Sequence, residues 1–205
     1  MAVPPPLEPL LPEGLRRGEV TCVLGSTSLA VAMLAHACAD GAWAVVLGQP
    51  SFGVLAAEQA GVRLDRFALV RQPGPQAGAV LDALLDGVGV VLVGPQVALP
   101  VADARRLTAR VRERGAVLLA TVPWRGAQVV LTARSLVWQG VGAGEGRLRQ
   151  GRLLVARSGR AGAGVPAALE VVLPVPRPVA CPLPAVPTPT PTATSTSPSP
   201  LRLVG

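Results

Sequence analysis

From residue 13 onward, short apolar runs alternate with stretches whose apolar positions recur every three or four residues. Glu19 to Leu24 predicts a strand, and Thr27 to Ala39 a helix opened by a Ser/Thr cluster. Trp43 to Leu47 predicts a second strand. Phe52 to Gly61 predicts a helix, with Leu55, Ala56 and Gln59 at helical spacing and Gly61 as its stop. Phe67 to Val70 reads as a short strand and Ala77 to Leu85 as a helix. Val88 to Val93 is a Val-rich run bounded by Gly87 and Gly94, without the alternation that a strand with one wet face needs. Val101 to Arg114 is the clearest amphipathic helix, with Val101, Ala104, Leu107 and Val111 on one side and five Arg on the other. Ala116 to Val122 predicts another buried strand. Strands alternating with helices need crossover connections, so the predicted class is α/β, with a mostly parallel sheet flanked by helices.

After Trp124 the rhythm changes. Gln128 to Leu131, Leu136 to Gln139, Arg152 to Arg157 and Leu169 to Leu173 are short strand-like runs between Gly-rich turns, and predict antiparallel additions at one edge of the sheet. Residues 1–12, with Pro4-Pro5-Pro6, Pro9 and Pro12, predict an extended lead-in to a domain spanning 13–173. From Pro174 to the end the chain is rich in Pro, Thr and Ser, and 174–205 predicts a disordered or polyproline-like tail. There is no internal repeat.

Composition narrows the chemistry. The 205 residues are half apolar but only 2% aromatic, which fits one compact domain with an appendage and a core of Val, Leu and Ala. Lys, Ile, Asn and Tyr are absent, so all 19 basic residues are Arg and the net charge is +7. The missing residues share AT-rich codons, so a GC-rich genome accounts for their loss; chemistry that needs an ammonium is nonetheless excluded. Cys22, Cys38 and Cys181 form no CxxC pair or disulfide framework. His36, the one histidine, sits in an apolar run where packing is expected, so neither a zinc site nor a Ser–His–Asp triad is available. Arg16-Arg17 ahead of the uncharged run Val20 to Ala39 imitates a twin-arginine signal, but Glu8, Glu13 and Glu19 stand where such a leader is basic. Gly94, Pro95 and Pro100 interrupt the other long apolar stretch. A cytoplasmic protein with no membrane partner is expected.

Val20 to Leu34 combines a buried strand, a glycine turn and a helix beginning with hydroxyl residues, which is the frame of a phosphate-binding loop. A working loop needs a longer Gly-rich arc of amides, a Lys for the terminal phosphates and a Ser/Thr for magnesium. Here Gly25, Thr27 and Ser28 remain, Ser26 stands where Lys belongs, and the arc is short. These residues argue against ATP hydrolysis and against ATP as a cofactor.

The order of these motifs resembles the RecA-like core, and within it the ImuA-type proteins of actinobacteria. Leu10 to Val20 is similar to the segment that leads into RecA's first core strand; Gly25-Ser-Thr-Ser-Leu-Ala30 stands where RecA-like proteins carry Gly-Lys-Thr-Thr-Leu-Ala; Ala60 to Phe67 resembles the following Leu-Gly-Val-Asp segment. Trp138, the turn Gly140 to Gly146, Gly146-Arg-Leu-Arg-Gln150 and Ser158-Gly-Arg160 carry the ImuA likeness. The resemblance covers residues 7 to 173. It implies that Gly94 occupies the Walker B Asp position, and that Gln49 falls near the Glu that activates water. Codon bias explains an Arg-for-Lys swap, not the joint loss of a Lys, an Asp and a Glu at one site. The expectation is therefore a degenerate ATPase with no catalytic residues.

Charge is concentrated. Between Arg125 and Arg160 stand seven Arg (125, 134, 147, 149, 152, 157 and 160) against a single acid, Glu145. Arg134, Arg147, Arg149, Arg152, Arg157 and Arg160 are the expected DNA- or partner-binding residues, because guanidinium groups suit phosphate oxygens. The same cluster also reads as a solubilising edge that blocks strand pairing between molecules, and nearby aromatics for base stacking are confined to Trp124 and Trp138. Arg105, Arg106, Arg110, Arg112 and Arg114 read as a solvated helix face. The ImuA resemblance implies a nucleoid-associated accessory protein of damage-induced translesion synthesis. Its implied partners are a Y-family polymerase-like adaptor of the ImuB type and an error-prone C-family polymerase, with DNA contact and head-to-tail self-association. The alternatives are a SulA-type cell-division inhibitor and a RecA-type ATP-dependent DNA-binding protein.

Overall fold

A computed structural model describes residues 1–142, 145–159 and 168–178. The elements are β1 (Val20–Leu24), α1 (Thr27–Ala37), β2 (Ala44–Leu47), α2 (Val54–Ala60), β3 (Phe67–Val70), α3 (Ala77–Leu84), β4 (Val90–Val93), α4 (Val101–Arg114), β5 (Val117–Ala120), β6 (Val129–Gly142), β7 (Glu145–Gly159) and β8 (Ala168–Leu173). The described strands form an eight-stranded sheet in the order β3-β2-β4-β5-β1-β6-β7-β8. β1 to β6 pair in parallel, whereas β7 is antiparallel to both its neighbours. The protein is thus α/β, with a mostly parallel sheet flanked by helices and an antiparallel pairing at one edge.

Every residue of β2, β4 and β5 is buried, as the unbroken apolar runs require. α1 and α2 cover one face of the sheet, where Leu29, Met33 and Ala57 meet Val46, Leu92 and Leu119. α3 and α4 cover the other, where Leu81, Leu107 and Val111 meet Val91, Val93 and Leu118. Gly61 ends α2 at φ 102°, the left-handed conformation that suits a helix stop without a side chain. The run from Val20 to Ala39 forms β1 and α1 of the core, and no helix among the described residues is long and apolar enough to cross a membrane.

Three features differ from the sequence-based expectations. The first twelve residues are folded rather than extended. Pro5–Leu7 forms a 3-10 turn, and Leu7, Leu10, Leu11 and Leu15 are buried in the α1/α2 layer with Leu153, Val155 and Val171. Proline composition hid the spacing of those leucines, which fill the sheet face beyond α1. Secondly, the two runs expected between 128 and 139 are one strand, β6, whose first residues pair in parallel with β1 and which pairs with β7 along its length, from Val129↔Gly159 to Gly142↔Glu145. Glycines and polar residues on an exposed ribbon look like loop in sequence, yet their backbone groups are satisfied across the strands. Thirdly, 174–178 is anchored. A ring nitrogen of His36, Nε2, lies 2.9 Å from the carbonyl oxygen of Pro176, and Arg177 Nε donates to the carbonyl of Gln59 at 2.6 Å. The segment therefore lies against α1 and α2, and the rest of the expected tail, 179–205, lies outside the described residues.

Candidate functional site

The carboxyl ends of β1, β2, β4 and β5 share one end of the sheet. The connection from β1 leaves across one face through α1, and that from β4 across the other through α4. Open α/β sheets bind ligands at the carboxyl ends of their strands, where connections diverge to opposite faces. This is the place of the phosphate-binding frame.

Only Gly25 and Ser26 separate β1 from α1. Gly25 has φ 84°, and a Cβ there would overlap the carbonyl oxygen of Ala133, so the turn needs glycine for its conformation and for its contact with β6. Ser26 caps α1: its Oγ accepts from the amide of Leu29 at 3.2 Å. The residue in the Lys position is thus engaged in holding the helix end. Thr27 and Ser28 stand exposed in the first turn.

Gly94 and Gln49, named from sequence as vestiges of the Walker B and catalytic-Glu positions, are in contact. Gly94 is buried just beyond β4, and its amide donates to the carbonyl of Leu47 at 2.8 Å. A Cβ at 94 would overlap Gln49 Oε1, and would lie 2.5 Å from the carbonyl oxygen of Gly48 and 2.8 Å from the Cα of Gln49. Two of those three obstacles are backbone, so rotating Gln49 away does not make room for an aspartate. Gln49 is itself buried, and its Oε1 accepts from Thr121 Oγ1 at 3.3 Å. Thr121 Oγ1 also lies 3.2 Å from the carbonyl of Val93. A neutral amide–hydroxyl–carbonyl contact thus ties the ends of β2, β4 and β5 together. Thr121 was not singled out from sequence; the signal was a hydroxyl immediately after an all-apolar strand.

Other chemistry-bearing side chains are quiet. Burial pushes the Cys38 thiol up to about 12, with Asp40 adding to the rise. Burial also raises Cys22, against a smaller opposing hydrogen bond from the Trp124 backbone. Thiols held protonated are poor nucleophiles and poor metal ligands. No cluster of three or more His, Cys, Asp or Glu able to hold a metal occurs among the described residues.

The Arg-rich edge is divided by the sheet. Cross-strand pairing lines up Arg134, Leu154 and Glu170 in one row and Val137, Arg152 and Val172 in the next, all on the outer face. Arg152 pairs with Glu170. Arg157 stands opposite Leu131, with the parity of the buried residues Leu153 and Val155; its Nε is buried without a hydrogen-bond partner. Residues five apart on a strand face opposite ways, so Arg152 and Arg157 do not act on one surface. Arg147 and Arg149 belong to β7 by their backbone, their side chains lying outside the description, and Arg160 lies outside the described residues. On α4, the group read as solvated partly bridges helices: Arg106 and Arg110 reach Asp82, and Arg110 and Arg114 reach Asp86, at 2.9–3.7 Å.

A family model described as the MT3502 N-terminal domain matches residues 9–126, from the buried leucines of the lead-in through β5. An uncharacterized protein of Mycobacterium tuberculosis, Rv3395c, is 37% identical over 130 residues, which cover 62% of this chain and 64% of that protein. The similarity therefore spans less than two thirds of the relative's length.

Proposed function

The chain belongs to the MT3502 N-terminal domain family, and from that premise we propose that it is a non-catalytic, RecA-like accessory protein of the ImuA type. Its role is to support damage-induced translesion synthesis by holding a Y-family polymerase-like adaptor of the ImuB type, together with the error-prone C-family polymerase. DNA contact through the Arg-rich edge belongs to the same reading.

The observation that carries it is the closed Gly94 position. Phosphoryl transfer depends on positioning and charge. Ser26 capping α1, and a Cβ at 94 obstructed by Gly48 and Gln49, both support a frame without a terminal-phosphate cation or a metal-holding carboxylate. The frame then serves as a rigid scaffold. The neutral Gln49–Thr121 contact supports the strand ends that a metal site would otherwise organise.

The test has two parts. Purified protein is expected to show no magnesium-dependent turnover of radiolabelled ATP above background; turnover abolished by substituting Thr27 refutes the degenerate-ATPase reading. Tagged protein recovered from damaged cells is expected to bring down polymerase components. Recovery of the tubulin-like division protein instead turns the assignment to a SulA-type inhibitor.

A further inference from the structure

We infer that the outer face of β6, β7 and β8 is a docking surface for an acidic amphipathic helix of another protein.

The face is a continuation of a covered one. Val130 of β6 packs with the α3/α4 layer, and Thr132 and Arg134 follow on the same side of the strand. α3 and α4 cover this side over β1 to β5; beyond Val130 no described helix lies over it. The opposite side of β6–β8 is closed by the N-terminal leucines. The bare floor carries Val137, Leu154 and Val172, which are 49%, 39% and 38% exposed, in adjoining rows with Arg134, Arg152 and Glu170. Three strands about 4.8 Å apart make a floor roughly 10–14 Å wide, which is about one helix diameter.

The rim toward α4 is basic. Trp124 donates to Thr108 at 2.9 Å, seating the loop 121–128 against α4 with Arg125 exposed upon it. Arg105, three residues before Thr108, shares that side of α4, away from the Asp-paired residues Arg106, Arg110 and Arg114. Among the described residues no carboxylate stands within ion-pair range of Arg105, Arg125 or Arg134. Glu170 is held by Arg152. The surface thus joins an apolar floor to uncompensated positive charge.

Charge and shape select the occupant. Residues 179–205 contain no Asp or Glu, so the chain's own end supplies no acidic apolar face; in a second copy, Asp82 of α3 and Asp86 just beyond it are already paired, and α2, which exposes Leu55 beside Glu58, is only 7 residues long. Nucleic acid is matched by the Arg side chains of this face but not by its Val/Leu floor. The exposed ring in this extension, Trp138, lies over Gly151 on the opposite side, where a Cβ at 151 would come within 2.8 Å of it. An amphipathic helix, with leucines at i, i+3, i+4 and i+7 and acids on its flank, matches both floor and rim.

This deepens the scaffold reading by naming the chemistry of the partner. ATP turnover tests that reading without touching peptide binding, so each can fail alone. The probe is a fluorescently labelled 20-residue helical peptide with Leu at those spacings and Glu between them, followed by anisotropy at low salt with the full-length protein. Its controls are a peptide of the same composition with scattered leucines, and single-stranded and duplex DNA 20-mers. The amphipathic peptide is expected to bind, and to lose about tenfold or more of its affinity both with Leu154→Glu plus Val172→Glu and with Arg134→Glu, at unchanged thermal midpoints. Leu154→Ser replaces the double variant if that one melts early. No binding of the amphipathic peptide, equal binding of the scattered one, or indifference to the apolar variants overturns the proposal. So does DNA binding that Leu154→Ser leaves intact while the peptide fails to bind.

Discussion

Gly94→Ala is the sharpest probe of the closed site. The glycine lies outside the left-handed region, so alanine meets no conformational penalty there. By loss of unfolded-state entropy alone it would stabilise by about 0.4–1 kcal/mol. Against that stands the new methyl, 2.5 Å from the Gly48 carbonyl oxygen and 2.8 Å from the Gln49 Cα, at a point where backbone must yield. Overpacking costs about 1–3 kcal/mol, and the upper part of that range, about 2–3 kcal/mol, applies where the obstacles are backbone, which leaves a net loss of roughly 1–2.6 kcal/mol. For a chain of this size that corresponds to a fall of roughly 2–10 °C in melting temperature, readable by circular dichroism with urea midpoints as a second measure. Gly87→Ala is the matched control: it precedes the same strand, with nothing within 4 Å of its Cβ position and no left-handed φ, and is expected to be neutral or slightly stabilising. Gly94→Asp is expected to lose more than alanine, because a carboxylate is desolvated there as well. The reasoning is refuted if Gly94→Ala melts at or above the parent, or if Gly94→Asp combined with Ser26→Lys gains magnesium-dependent ATP turnover at unchanged stability.

Ser26→Ala removes the acceptor for the Leu29 amide and is expected to lower stability by about 1 kcal/mol, measured by urea unfolding; an unchanged midpoint denies the capping role. Buried thiols contribute to alkaline stability in a chain that has no Tyr or Lys. The folded Cys38 pKa of about 12 lies above the ordinary value of 9.0, so the unfolded chain ionises first. Stability held below that ordinary value therefore declines as pH rises toward the folded one, and Cys38→Ser flattens the decline in urea midpoints taken across that window. The same burial predicts that alkylation of Cys22 and Cys38 at pH 8 needs unfolding, which mass spectrometry checks with and without denaturant. Ending the chain at 173 instead of 178 deletes the Pro176 and Arg177 contacts with α1 and α2. The shorter chain is expected to be less stable by about 1–3 kcal/mol, and equal midpoints for the two truncations show that the segment contributes nothing.

The succession of elements from β1 to β5 was readable in the sequence because each apolar run carried its own period. Val90–Val93 and Val117–Ala120 had no polar residue to face water, and the α4 stripe recurred at helical spacing. Local chemistry also sufficed for the opening of α1 at its Ser/Thr cluster and for the stop at Gly61, since both depend on single residues in a short segment. What depended on distant partners was not readable. The buried lead-in leucines needed a sheet face at the far end of the domain to cover, and the proline-rich 174–178 found its anchors on α1 and α2. The Arg cluster looked like one surface until strand register sent Arg134 and Arg152 one way and Arg157 the other. Gly94 shows the division most clearly. Its sequence records only that a carboxylate is absent, whereas the approach of Gly48 and Gln49 determines that none fits. Close packing between strands far apart in the chain excludes side chains by volume, and a linear pattern carries no information about volume.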